Sequence, residues 1–280
     1  MGIYRIYRRI RNVAAIITVA AAGIVTIGKV TINGGMTSHS TKTTKTAQYI
    51  DPCKEYNEIG LPIMSKKSLL LVRKDYVTSY NEETKTPYWV QWHLTRERAS
   101  GTIKRPDYAF HEDLEVPPPR ADIFDYRASG YDRGHMCPAG DNKHDEESMY
   151  ESFLLTNICP QNRQLNSGLW NDIEMQCRVW AKKYGSLYIV TGPIYLQTEH
   201  KTIGKNRIVV PEAFFKAIIC LEPTPKGIAF ICRNTDGKRK KDFYVNTIEE
   251  VERITGITLF PNLDIKTANE VKKKADLKSW

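Results

Sequence analysis

Asp132, Arg133 and His135 fall within the stretch YDRGHMCPAGDN (131–142), and Asn166, Trp170 and Glu174 follow at four-residue spacing, starting 31 positions after the histidine. An imidazole with an ordinary pKa of about 6.5 is mostly neutral at neutral pH and can take a proton from water. On a strand, side chains two positions apart share a face, so Arg133 lies beside His135, where a guanidinium can hold a phosphate next to the base. Asn166 offers an amide oxygen, a hard donor suited to Mg²⁺, which takes few protein ligands and keeps several waters. On a helix rising about 1.5 Å per residue, Glu174 stands roughly 12 Å further on, where it would hold a water of the ion's shell rather than the ion itself. Each residue type also has an ordinary use. A lone histidine is commonly structural, an Asn ahead of a helix is commonly its N-cap, and an acid on a helix face is commonly solvated. Trp170 reads as core packing and Asp132 as a group that orients its neighbours.

The elements that must hold these residues can be read from periodicity. A strand is expected over YDRGHM, a short helix over DEESMYESF and a strand over LLTNI. Leu169, Trp170, Ile173, Cys177 and Trp180 recur at three- and four-residue intervals, which predicts an amphipathic helix from Leu165 to Lys183. Upstream, SLLLVRKDYVTSYN and PYWVQWHLT are β-rich, and a Pro- and charge-rich loop spans Lys104 to Arg120. Downstream, SLYIVTG, AFFKAIICLE and GIAFICRN read as strands, with a last helix near Asn246 to Thr255.

The chain has 280 residues and a formal charge of +9. Arg5, Arg8, Arg9, Arg11 and Lys29 lie in an acid-free first 33 residues, which leaves only +4 for the remainder, so net charge says little about substrate. This basic start runs into the uncharged segment Asn12 to Gly28 and reads as an export leader or an uncleaved membrane anchor (1–33). The Ser/Thr/Lys-rich TSHSTKTTKT marks a linker (34–54), followed by a folded domain (55–280). A periplasmic, extracellular or membrane-anchored location is expected, touching membrane only through an uncleaved N-terminal segment. Six cysteines without a CxxC pair or zinc-like Cys/His spacing argue against structural zinc. An exported chain could form disulfides.

The Asp132–His135 DRGH, the Asn-x-x-Pro-Gln at Asn157 to Gln161 and the Asn166, Trp170, Glu174 series together resemble the DNA/RNA non-specific endonuclease family. The likeness runs from about Trp89 to Pro193. It implies an α+β, ββα-metal (His-Me finger) fold with a central, mostly antiparallel sheet and flanking helices. It also implies hydrolysis of DNA and RNA phosphodiesters with little sequence preference, His135 activating water and 5′-phosphate ends resulting. On this reading Asn166 binds the cation (Mg²⁺, with Mn²⁺ or Ca²⁺ as alternatives), and Arg133 and Glu174 assist. An upstream cation is expected at Lys104 or, preferably, Arg105, unless that arginine is only solvated surface, and Asn157 is a polar substrate contact. The fold brings two Cys-Pro pairs around one site, so a Cys137–Cys159 disulfide is expected, with Cys220 and Cys232 as a second pair. A homodimer stays open. The alternatives are a catalytically degenerate exported nucleic-acid-binding protein and another exported phosphoesterase. The basic runs Lys238–Lys241 and Lys272–Lys274 read mainly as solvated faces.

Overall fold

Three long runs, TPYWVQWHLT, SLYIVTGPI and AFFKAIIC, are apolar on both faces, which a strand can be only if both sides of its sheet are covered. The computed structural model, which describes residues 56–280 except Tyr108 and Asp236, covers them on both sides. The expected leader or anchor and the linker lie outside the described residues. β1 (Leu69–Val72), β2 (Val77–Asn81) and β3 (Thr86–Thr95) form an antiparallel meander. β3 then pairs with β6 (Ser186–Ile194), β6 with β9 (Ala213–Cys220), β9 with β10 (Lys226–Arg233), and β10 with β11 (Val245–Asn246), completing a seven-stranded antiparallel sheet. Two short strands, β7 (Thr202–Ile203) and β8 (Ile208–Val209), make a separate hairpin.

On one face of the sheet Trp92, Ile189, Phe214, Ile218 and Phe230 meet Trp170, Ile173 and Cys177 from the long helix. On the other face Trp89, Val190, Phe215 and Ile219 meet Ile248, Val251 and Val271. These come from α4 (Ile248–Thr255) and α5 (Ile265–Lys272), the latter a helix beyond the expected last one, capped by Asp264. Each such buried side chain contributes about 1.5–3 kcal/mol by leaving water.

The site-bearing part hangs off this sheet. β4 (Asp132–His135) pairs antiparallel with β5 (Ile158–Gln161), with Gly134 opposite Cys159. At Gly134 a Cβ would sit 2.6 Å from the Gln161 Cβ, so the close approach of the two strands requires glycine. Between the strands lies α1 (Glu146–Ser152), N-capped by Asp145. LLTNI is a strand only at its end: Leu154 makes an isolated bridge to His111, Leu155–Asn157 forms a 3₁₀ turn, and β5 begins at Ile158, with the Asn157 side chain bonded to the Cys137 backbone. After β5 come a short turn, α2 (Arg163–Leu165), a π-helical turn at Asn166–Trp170, and α3 (Asn171–Tyr184). The expected single helix is broken at Gly168, whose φ of −105° and ψ of −110° are not helical.

Neither expected disulfide is formed. Cys159 faces Gly134 across the hairpin, while Cys137 lies two residues past the end of β4 and donates its N–H to Asn157 Oδ1. Cys232 faces Phe214 while Cys220 faces Lys226, an offset of about 20 Å along the strands, beyond the roughly 7 Å that a disulfide spans. Cys137, Cys159, Cys177, Cys220 and Cys232 are buried free thiols.

Candidate active site

β4, the start of α3 and the Lys104–Arg120 loop converge on a cleft of about 880 Å³. Five of the expected site residues line it: Arg105, Arg133, His135, Asn166 and Glu174. Lys104 does not, so the structure brings Arg105, not its neighbour, into the site. Four arginines (Arg105, Arg127, Arg133, Arg178) against two carboxylates (Asp132, Glu174) give the cleft a positive balance suited to an anion.

His135 is held by two rings, Phe110 at 5.2 Å and Phe153 at 5.0 Å between centroids. The same rings seat the guanidiniums, Arg133 over Phe110 at 4.5 Å and Arg105 over Phe153 at 4.9 Å. Burial, then the positive charges of Arg105 and Arg133, push the His135 pKa down to about 3, so the ring is neutral at neutral pH. Its Nε2 is buried and has no hydrogen-bond partner among the described residues. A neutral imidazole lining the cleft beside two fixed guanidiniums is in the protonation state that a base needs.

Asn166 is not a helix N-cap. Asn162 takes that role, accepting from the Gln164 and Leu165 N–H groups. Asn166 Nδ2 instead donates to Asp132 Oδ2 at 3.0 Å. A carboxylate only accepts, so this bond fixes the amide flip and turns Oδ1 away from Asp132. Among the described residues no group of three His, Cys, Asp or Glu could hold a metal. The Asn166 amide oxygen, completed by water, is a donor set that would fit Mg²⁺.

Along α3, Asn171, Glu174 and Arg178 face the cleft while Ile173, Cys177 and Trp180 face the core. Burial raises the Glu174 carboxyl to about 7; Lys216 and Arg178 oppose that rise and Asp141 adds to it. Arg178 donates to Asp141 Oδ1 at 2.8 Å, and Trp92 Nε1 donates to Asp141 Oδ2 at 3.1 Å. Behind this network Lys216 is 1% exposed. Its ammonium lies 4.7 Å from the Trp170 ring and 4.9 Å from that of Trp92, with no hydrogen-bond acceptor among the described residues.

Asn157 is corrected as a substrate contact. It is fully buried, accepts from Cys137 N–H at 2.9 Å, and donates to the carbonyls of Cys137 and Ser152, both at 2.8 Å. With its amide spent on backbone, it braces the end of β4 against α1. Sequence reasoning missed Phe110, Phe153, Arg178 and Lys216. Phe110 and Arg178 carried local signals, Phe110 lying five residues from Arg105 and Arg178 one helical turn from Glu174.

The family model for the DNA/RNA non-specific endonuclease matches residues 54–265. The chain belongs to the DNA/RNA non-specific endonuclease family. It is 34% identical over 230 residues to "Nuclease EXOG, mitochondrial" of Xenopus laevis, a stretch covering 76% of this chain and 63% of that protein. It is likewise 34% identical over 224 residues to "Endonuclease G, mitochondrial" of Homo sapiens, covering 75% and 74%. The chain thus spans less than two thirds of the frog relative's length. A chain from the crystal structure of the EndoG/EndoGI complex superposes with a TM-score of 0.74 at 28% identity, covering 81% of this chain and 99% of that one. Membership bears out the resemblance carried by DRGH and the Asn166 series, and with it the ββα-metal fold, here β4, β5 and α3. The expectation of export is overturned, because these endonuclease family relatives are mitochondrial by name.

Proposed function

We propose that this protein is a cation-dependent endonuclease that hydrolyses DNA and RNA with little sequence preference and leaves 5′-phosphate ends. Its domain is residues 55–280, a reading supported by the match to 54–265 and by the packing of Trp280 on Trp180 at 4.5 Å. One observation carries the function: a neutral His135 shares an arginine-lined cleft with an Asn166 whose amide oxygen is turned away from Asp132. His135 removes a proton from water as the water oxygen bonds to phosphorus. The bond from phosphorus to the 3′-oxygen breaks, its electron pair stays on that oxygen, and the 3′-oxygen takes a proton from solvent. Arg133 and Arg105 hold the non-bridging oxygens. Glu174 accepts a hydrogen bond from water beside Asn166. A divalent cation, Mg²⁺ in this reading, would polarise the phosphoryl group and stabilise the leaving oxygen. Purified protein incubated with supercoiled plasmid tests this. Nicking and linearisation with Mg²⁺, abolished by EDTA, are expected; an intact plasmid with Mg²⁺, Mn²⁺ or Ca²⁺ would overturn the reading.

A further inference from the structure

The basic run Lys238-Arg239-Lys240-Lys241 has no part in the cleft, yet it is tied to the wall that carries Asn166. The loop leaves β10 through Asn234, whose Oδ1 accepts from Asn162 N–H at 2.7 Å and whose Nδ2 donates to the carbonyls of Pro160 at 3.0 Å and Pro211 at 2.9 Å. At Gly237 (φ +60°) the backbone presses on the α2 and π-turn segment, where a Cβ would lie 3.1 Å from Leu169 Cβ and 3.2 Å from Leu165 Cδ1. Lys241 Nζ donates to Gln176 Oε1 on α3 at 3.3 Å, and Arg239 N–H donates to the Tyr244 hydroxyl at 3.2 Å. Asn166 faces the cleft from one side of that helical segment, while the loop covers Leu165 and Leu169. The two are separated by about one helix diameter, roughly 10 Å.

Lys238, Arg239 and Lys240 are all exposed. The Arg239 guanidinium lies 5.2 Å from the ring of Phe243, itself 66% exposed. Asp236 and Asp242 bracket the run in sequence, and Asp242 accepts the Phe243 N–H at 3.0 Å. A run of cations beside an open aromatic ring is the surface that a nucleic-acid strand fits, phosphates on the cations and a base or sugar on the ring.

We propose that the Lys238–Phe243 loop is a second phosphate-binding strip, which grips the substrate backbone beyond the Asn166 wall of the cleft. It rests on the nuclease reading, since the strip adds reach and affinity along a long polynucleotide whose scissile phosphate lies beside His135. Each phosphate contact lowers the logarithm of the association constant by about 0.9 per tenfold rise in salt on duplex DNA.

The test measures binding of the full chain to a fluorescent 30-base-pair duplex in EDTA, by anisotropy over a range of KCl. The triple variant Lys238→Gln, Arg239→Gln, Lys240→Gln should flatten the salt slope by about two to three and weaken binding most at low salt. A control variant with the same charge loss on or after α5, Lys266→Gln, Lys273→Gln, Lys274→Gln, should keep the parent slope. Equal slopes in parent and loop variant, or an equal loss in the α5 control, would overturn the strip. Plasmid cleavage by the parent is scored separately. Its absence counts against the nuclease reading alone, because the slope is measured without metal.

Discussion

Asp132 and Asn166, 34 positions apart, are joined by a 3.0 Å hydrogen bond that sets which end of the Asn166 amide faces the cleft. Asp132→Ala should free that amide to rotate and weaken cation binding while leaving Asn166 in place. The expected result is a roughly ten-fold rise in the Mg²⁺ concentration for half-maximal cleavage, about 1.4 kcal/mol, with most of kcat recovered at saturation. Titrating Mg²⁺ against cleavage checks this, and an unchanged half-maximal concentration would mean that Asp132 does not orient the ligand.

His135→Ala should lower kcat by about 10²- to 10⁴-fold, the usual span for a lost general base. Mn²⁺ affinity, read by electron paramagnetic resonance, should stay near the parent value because Asn166 and Asp132 are untouched. Turnover within a few-fold of the parent would remove His135 from the mechanism.

Asn157→Ala leaves two buried carbonyls and one buried N–H without their partner. Unsatisfied buried groups cost about 1–3 kcal/mol each, so a loss of at least 2 kcal/mol in unfolding free energy is expected from urea denaturation. If stability holds while KM for DNA rises, Asn157 belongs to the substrate after all.

Lys216 and Glu174 give a pH prediction. The Glu174 carboxyl is raised to about 7, chiefly by burial, with Lys216 and Arg178 favouring the ionised form and Asp141 opposing it. If catalysis needs the carboxylate, activity is lost as the pH falls through that value. Lys216→Met removes a cation that favours the carboxylate, so the acid limb of kcat against pH should move upward by about one pH unit. Lys216→Arg, which keeps the charge, should leave the limb near the parent position, and a limb unmoved in Lys216→Met would break the link.

The part of the site that was legible beforehand is the part written in local spacing. Period two put Arg133 and His135 together, and the three-and-four pattern of Ile173, Cys177 and Trp180 placed α3, which left Glu174 turned to the cleft. What depends on register was out of reach. The Cys137–Cys159 disulfide is not formed; the hairpin pairs Cys159 with Gly134, a fact set by the pairing and not by the Cys-Pro pattern. Asn157 looked like a site residue from its neighbours, but its role is fixed by the backbone groups that surround it in space. Lys216 in AFFKAIIC lies on the same face as Phe214 and Ile218, and its burial is made tolerable by two tryptophans and by the Glu174 carboxyl, all from distant segments.

The last prediction concerns the sugar. A nuclease that uses the ribose 2′-hydroxyl as its nucleophile cannot cut DNA. Here the nucleophile is water deprotonated by His135, and the groups placed on the phosphate are Arg133, Arg105 and a cation at Asn166. None of these roles involves the 2′ position, so the free energy of the step should differ little between the two sugars. Matched DNA and RNA oligonucleotides should therefore both be cleaved, within about ten-fold of each other, equivalent to about 1.4 kcal/mol. Mass spectrometry of the products should show 5′-phosphate and 3′-hydroxyl ends on both. Cleavage of RNA alone, or a 2′,3′-cyclic phosphate among its products, would show that the sugar supplies the nucleophile and that His135 does not act on water.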